Sequence, residues 1–274
     1  MSDRPTSDLV FTGSIPDLYE TFMVPLIFQP YADDIAVRVA GLHPSSVLEV
    51  AAGTGVVTRA LSATLPHTAA ITATDLNQPM IDYAAGVGTD KPVVWRQADA
   101  MNLPFEDSSF DVVVCQFGAM FFPDRVQAYG EFGRVLRRRG SLIFNVWDSI
   151  EHNEFADAVT DAVATLFPDN PPRFLARTPH GHSDTAVIVA ELASAGFSTP
   201  PRIDTVEARS RAASCTSPAI GYCQGTPLRN EIEARDASRL EEATGIAAAF
   251  VADRFGETDI DGKIRAFVIT AVKP

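Results

Sequence analysis

The sequence predicts an α/β fold: a parallel, doubly wound sheet, with further helices and two late strands added to it. Three observations predict it. Short apolar runs alternate with amphipathic stretches from residue 46 to residue 147, the pattern of repeated strand–helix units. The first run, VLEV, breaks into the glycine-rich turn AAGTG before the apolar pattern resumes; a buried strand that ends this way lets a ligand approach the backbone. Beyond Trp147 the alternation stops, yet two strand-like segments, RIDTVEARS and KIRAFVITAVK, follow before the end.

Residues 1–40 read as a helical cap of two helices. Ser14 with Pro16 makes a helix start, and Gly41 closes the second helix, which carries Ile35, Val37 and Val39. Residues 41–148 read as the core. SVLEV is a short buried strand and VVTRALSATL suits a helix; AITATD is the next strand, with Pro79 in the first turn of the helix QPMIDYAA. VVWRQ and FDVVVCQF are further strands. Asp124 with Gln127 resembles an N-cap pair for the helix DRVQAYGEFGRVLRR, and SLIFNVW is a strand after Gly140. Residues 149–274 read as a helical cap insertion plus the two last strands. Asp148 with Glu151 looks like a capping pair for a helix to about Phe167; a proline-rich link, PDNPPRFLARTPHGHSD, precedes a helix ending at Gly196.

Composition narrows the partner. The 274 residues are 46% hydrophobic and 21% charged, ordinary for a soluble globular protein with a sizeable core. A net charge of −13 argues against nucleic-acid phosphates or an anionic membrane, both of which need a positive field. Cys115, Cys215 and Cys223 have no metal-ligand spacing, so reduced thiols in a cytoplasmic protein are expected. The stretch MSDRPTSDLVFTGS lacks the apolar core of a signal peptide, and no apolar run is long enough to cross a bilayer. The expected partner is a small molecule, with no metal, no nucleic acid and no membrane; a homo-oligomer is left open.

Which ligand the glycines serve follows from their neighbours. A Walker loop needs Lys and then Ser or Thr after its second glycine; Gly55 is followed by Val56, Val57 and Thr58, which excludes it. A dinucleotide loop needs a third glycine where Thr58 stands, which weakens that reading. Glu49 lies inside the first strand, two residues before the turn; a buried carboxylate is costly unless paired, ill placed beside a phosphate and well placed beside an ammonium. Asp75 ends the second strand, where an acid can take two ribose hydroxyls, although alone it could cap the following helix. Asp99, in RQADAMNLPF, is placed to meet an adenine edge. Ribose, adenine and a cationic tail without phosphate describe S-adenosyl-L-methionine.

VLEVAAGTG resembles the first motif of class I S-adenosylmethionine-dependent methyltransferases, and ATDLNQPMIDYA the second. QADAMNLPFEDSSFDVVVCQFGAMFF and FGRVLRRRGSLIFNVWD are similar to the later motifs, with the ubiquinone and menaquinone biosynthesis branch the most similar, over roughly residues 45 to 148. The resemblance implies a Rossmann-like, seven-stranded, mostly parallel sheet with an antiparallel last strand. It also implies that Ala51, Gly53, Thr54 and Gly55 line the methionine and ribose while Glu49 orients the loop. Asp75 would take the ribose hydroxyls, with Leu76 and Met80 against the adenine; Asp99 would accept from the adenine amino group, with Ala100 or Met101 serving the ring. Gln116 and Phe117 would border the methionine end, and Tyr19 would close over the cofactor. The family's first glycine is Ala51 here, so an ordinary backbone angle is expected at that residue.

The predicted reaction is in-line transfer of the sulfonium methyl to a small acceptor at oxygen, as a hydroxyl or carboxylate. His180 and His182, in the polar link, are the candidate catalytic groups, each expected to be an exposed loop histidine, with Glu231 a further base candidate. Trp147, Arg173, Arg177 and Arg229 are the candidate substrate residues, the arginines suiting an anionic acceptor. Cys223, Gln224 and Thr226 are weaker pocket candidates, and Asp111 reads as structural. The rival functions are an NAD(P)-dependent Rossmann oxidoreductase and a non-catalytic protein that binds S-adenosylmethionine.

Overall fold

The computed structural model describes Asp8, Gly13 and residues 15–274; Ser14, the expected helix start, lies outside the described residues. The strands are β1 (Ser46–Val50), β2 (Ala70–Asp75), β3 (Val93–Gln97), β4 (Phe110–Gln116), β5 (Leu136–Trp147), β6 (Arg202–Ser214) and β7 (Thr258–Val272). They form one sheet in the order β3-β2-β1-β4-β5-β7-β6. β1 pairs in parallel with both β2 and β4, β2 with β3, and β4 with β5. The end of the sheet runs the other way. Arg139 N–H donates to Lys273 O near the start of β5, and Asp148 N–H donates to Arg265 O beyond its end; as β5 advances, β7 retreats. The mostly parallel, seven-stranded sheet finished antiparallel is the expected fold.

Helices α3 (Val56–Thr64), α4 (Gln78–Val87) and α5 (Arg125–Val135) connect consecutive parallel strands. The chain passes from β1 to β2 to β3 on one side and returns to β4 on the other side of β1. The reversal makes the carboxyl ends of β1 and β4 the switch point, where doubly wound sheets open a crevice for ligands. β1 is apolar because it is covered: Val47, Leu48 and Val50 are buried, as are Val112, Val113 and Val114 of β4, the near-continuous apolar runs expected of buried parallel strands.

Two compact units divide the chain. One comprises Pro30–Val146, Ser183–Thr205 and Phe267–Pro274; the other comprises the described residues up to Gln29, Trp147–His182 and Val206–Ala266. The first contains β1 to β4, most of β5, and helix α8 (Thr185–Ser194), whose Arg125–Glu191 ion pair ties it to α5. The second contains α6 (Glu154–Leu166), α9 (Thr216–Gln224), α10 (Leu228–Asp236) and α11 (Leu240–Phe255).

Three elements differ from the sequence expectation. The first helix is not regular: a short turn, α1 (Ile15–Leu18), runs into a π-helical stretch, Tyr19–Phe28, before α2 (Gln29–Ala40). Pro25 within it has no N–H and displaces the carbonyl one turn back, and the Gln29 N–H reaches Val24 O, the wider spacing of a π-turn. The helix expected through Arg138 stops at Val135, because Leu136 is fully buried and pairs with Phe110 as a strand; a bulge at Arg139 (φ 64°) and Gly140 then resets the register. Finally, Asp148 does not cap α6: its carboxylate accepts from Ser149 N and Arg265 Nε, while Asn153 occupies the N-cap position. Among the described residues no helix is long and apolar enough to cross a membrane.

Candidate functional site

The turn after β1 is held in left-handed backbone geometry at Ala51 (φ 57°), Gly53 (φ 56°) and Gly55 (φ 86°). The ordinary angle expected at Ala51 is therefore wrong. A non-glycine residue in this region costs about 1–2 kcal/mol, and the surroundings impose it: Ala52 N–H donates to Thr74 O at 2.9 Å, binding the turn to the end of β2. On the other side a Cβ at Gly118 would lie 2.6 Å from the Ala51 Cβ and 2.7 Å from Cys115 Sγ. The chain leaving β4 therefore rests on the Ala51 methyl. Beside Gly53 there is open space, with nothing within 4 Å of where a Cβ would stand. Thr54 Oγ1, in the same turn, is buried and has no hydrogen-bond partner.

The three acids stand at the carboxyl ends of β1, β2 and β3, adjacent strands about 5 Å apart. Glu49 is buried in the central strand, and its Oε2 accepts the Thr58 hydroxyl at 2.5 Å. Burial pushes its pKa up to about 8, against the pull of that hydrogen bond and of Arg59. Thr58 thus fills the place where a dinucleotide loop has its third glycine and uses it to hold a carboxylate. Asp75 Oδ2 accepts from Gly53 N at 2.9 Å and Oδ1 from Asn77 N at 2.8 Å; burial raises its pKa against these bonds. Ala98 N–H donates to Asp75 O, which carries the chain past β3 to Asp99. Asp99 is exposed, and its Oδ1 accepts from Met101 N at 2.9 Å, a tight turn between the acid and the backbone of Ala100 and Met101. Met80, on α4, is buried, whereas Leu76 is 47% exposed.

At the end of β4, Gln116 and Phe117 are buried, and Phe117 is a second non-glycine residue with positive φ, 50°. Asn145, opposite Gln116 on β5, accepts the Phe117 N–H through Oδ1 at 2.8 Å and reaches Gln116 Oε1 with Nδ2 at 3.4 Å. The Tyr31 ring meets Phe117 edge-on at 5.2 Å. Neither Asn145 nor the Thr58–Glu49 bond was anticipated; the signal was a polar residue in the otherwise apolar strand SLIFNVW, and a donor facing a buried acid.

The remaining candidates lie in the other unit. Tyr19, Trp147 and His180 join one aromatic row through Phe28: Tyr19 stacks on Phe28 at 4.9 Å, Phe28 meets Trp147 at 6.1 Å, and Trp147 meets His180 at 5.9 Å. His180 and His182 are buried, not exposed as expected, because their link folds back on itself: His180 N–H donates to Leu175 O. The His180 Nδ1 donates to Asp148 O at 2.9 Å, leaving the lone pair on Nε2. Burial pulls its pKa down to about 4, so it is neutral at pH 7 and a weak proton acceptor.

Of the three arginines expected to bind an anion, Arg177 and Arg229 are engaged, and Arg173 is exposed. Arg177 pairs with Asp8 at 2.8 Å and Glu231 at 2.7 Å, and Arg229 with Glu233 at 2.7 Å. Glu231, considered as a base, also accepts the backbone N–H of Arg173 and Phe174, capping the short helix α7 (Phe174–Arg177). Cys223 is fully buried, Gln224 donates to Thr244, and Thr226 donates to Tyr222 O, so all three serve packing. Asp111 is structural as read, taking Ser45 N, Ser46 N and Arg137.

Residues 48–144 match the family model described as a methyltransferase domain, and the resemblance drawn from the motifs holds for that segment. The demethylmenaquinone methyltransferase of Thermotoga maritima is 39% identical over 102 residues, 37% of this chain and 43% of that protein. The ubiquinone/menaquinone biosynthesis C-methyltransferase of Stutzerimonas stutzeri is 29% identical over 168 residues, 57% of this chain and 66% of that protein. The chain thus spans less than two thirds of the length of these relatives. In fold it is similar to the YcgJ protein of Bacillus subtilis (TM-score 0.56, 19% identity, 89% of this chain and 98% of that one). It is likewise similar to a SAM-dependent methyltransferase of Thermotoga maritima (TM-score 0.53, 17% identity, 94% and 96%).

Proposed function

We propose that this chain, which carries a methyltransferase domain over residues 48–144, moves the methyl group of S-adenosyl-L-methionine to a small-molecule acceptor. The observation that carries the reading is the donor set at the switch point. Three acids end adjacent strands, and Thr58 holds the buried Glu49 where a pyrophosphate loop would need glycine. A phosphate would meet carboxylates there, and an ammonium or sulfonium would be welcomed by them. Open space beside Gly53 fits a ligand that touches the loop closely.

The bound group supplies an electrophilic methyl on a sulfonium. The chain's own residues bind and orient. Asp75 takes the ribose hydroxyls and, through Gly53, keeps the loop in shape; Leu76 and Met80 flank the adenine, and Asp99 with the backbone at Ala100 and Met101 reads its edge. Ala51, Gly53, Thr54 and Gly55 surround the amino-acid end, Glu49 answers its charge, and Gln116 and Phe117 close that end. Alignment of two reactants contributes about 7–11 kcal/mol, whereas a positioned base contributes about a hundred- to ten-thousandfold in rate. A neutral His180 of low basicity therefore does not weigh against transfer.

For the receiving atom we favour carbon over the oxygen expected from the sequence. A relative is named a C-methyltransferase, and the arginines that suited a carboxylate acceptor, Arg177 and Arg229, already pair with acids. A cytoplasmic setting accompanies this reading, supported by three free cysteines. The test is transfer from methyl-labelled cofactor to a panel of quinols, phenols, acids and amines, with the product's methyl placed by NMR. Label on ring carbon supports the reading; label on oxygen overturns the choice of atom; no transfer to any acceptor, with the cofactor bound, favours a non-catalytic binding protein.

A further inference from the structure

The end of β4 is built around a contact that the function above does not use. Phe117 is buried and held at φ 50°, and its N–H faces two acceptors on Asn145: the side-chain Oδ1 at 2.8 Å and the backbone O at 3.3 Å. The side chain makes the shorter bond. Its other end, Nδ2, reaches Gln116 Oε1 at 3.4 Å and so sets which way that amide points. Asn145 is fully buried, in a stretch of β5 whose flanking residues Ile143, Phe144 and Val146 are apolar and buried too, and a buried amide is expensive unless its bonds matter. Directly beyond Phe117, Gly118 is pressed against Ala51 of the first loop. The order β3-β2-β1-β4-β5 then separates the ends of any ligand lying across the strands. On the cofactor reading, Asp75 and Asp99, on the β2 and β3 side, take the nucleoside, so the β1 and β4 side receives what hangs from its ribose.

We infer that Asn145 is a positioning residue for the amino-acid end of the bound nucleoside. It acts through Phe117 and Gln116, which it fixes in place, and touches no ligand atom itself. The inference rests on the cofactor reading above and deepens it.

The test needs no acceptor, because two ligands divide the site: S-adenosylhomocysteine spans both ends, and adenosine lacks the amino-acid end. In Asn145→Ala the Phe117 N–H loses its shorter bond. Calorimetric affinity for S-adenosylhomocysteine is expected to fall about tenfold while that for adenosine stays within about twofold. Asn145→Asp keeps an oxygen for the Phe117 N–H and is expected to recover most of the loss. Amide hydrogen exchange of the unliganded protein should quicken around residues 116–118 in the alanine variant and not in the aspartate variant. Equal weakening of both ligands, or of neither, overturns the inference. If Asn145→Ala does not fold, Asn145→Ser, whose hydroxyl is too short to span the gap, carries the same comparison. Failure of the unsubstituted protein to bind S-adenosylhomocysteine is a different result, which overturns the cofactor reading before any variant is made.

Discussion

Glu49 carries the largest electrostatic consequence of any single side chain in the site. Its folded pKa, about 8, lies above the usual carboxylate value because burial disfavours the charge. A raised carboxyl stabilises the fold fully below its unfolded pKa and loses that contribution as pH rises through the folded value. Between about pH 5 and 8 stability should therefore decline by on the order of 1 kcal/mol per pH unit, and Glu49→Gln should flatten this slope in thermal melts. A bound ammonium favours the carboxylate, so S-adenosylhomocysteine should bind more tightly as pH rises towards 8 and release a proton at neutral pH; calorimetry in buffers of different ionisation enthalpy measures that proton. The Ala51–Gly118 contact gives a second expectation. Gly118→Ala pushes a methyl into Ala51 and Cys115 and should destabilise the fold by about 1–3 kcal/mol. Adding Ala51→Gly should recover part of that, a non-additivity read by urea titration of the double-mutant cycle. The places of the acids and glycines at the strand ends were legible because spacing along alternating strands fixes which ends they occupy. Their partners were not: Thr58 looked like an obstacle to one ligand, and only the fold shows it donating to Glu49.

Elements obey local rules until burial overrides them. β1 and β4 were legible because a strand covered on both faces is a largely apolar run, and β2 because Ile and Thr favour the strand. The segment Leu136–Arg138 was not, since LRRR continues a good helical pattern, and the deciding fact is that Leu136 is buried opposite Phe110. The π-helical turn at Tyr19–Phe28 was likewise hidden, although Pro25 was its visible cause. Helix α7 is too short to stand alone and is held by Glu231, which accepts two of its N–H groups and pairs with Arg177. Glu231→Ala should cost about 2–3 kcal/mol, below the range for a fully buried pair because Arg177 is partly exposed. Methyl transfer by the molecules that remain folded should be unchanged, since the carboxylate is structural; a loss of turnover well beyond the loss of folded protein would make it a base after all. His180 adds an acid-side effect. Its pKa of about 4 lies below the usual imidazole value, so it contributes stability above about pH 6.5 that is lost as pH falls towards 4. His180→Asn, which retains a donor for Asp148 O, should remove that part of the acid sensitivity in thermal melts.

At the scale of the molecule, the alternation of strands and helices made the parallel core readable, while its completion by β6 and β7 rests on pairings far apart in sequence that no local pattern specifies. The acceptor residues were the least legible. His180, Arg177 and Glu231 were chosen for chemistry, and in the fold each is engaged in a structural contact. What the whole fold does carry through is a reversal of strand order at β1 and β4, beside a loop where Thr58 and the buried Glu49 stand in place of the close-packing glycine of a pyrophosphate site. Equilibrium binding of S-adenosylhomocysteine and NAD to the same preparation tests that claim most directly. Saturable binding of S-adenosylhomocysteine at least about a hundredfold tighter than NAD, weakened by Asp75→Ala, is the predicted result. Tighter binding of NAD, or binding of S-adenosylhomocysteine that Asp75→Ala leaves untouched, would contradict it.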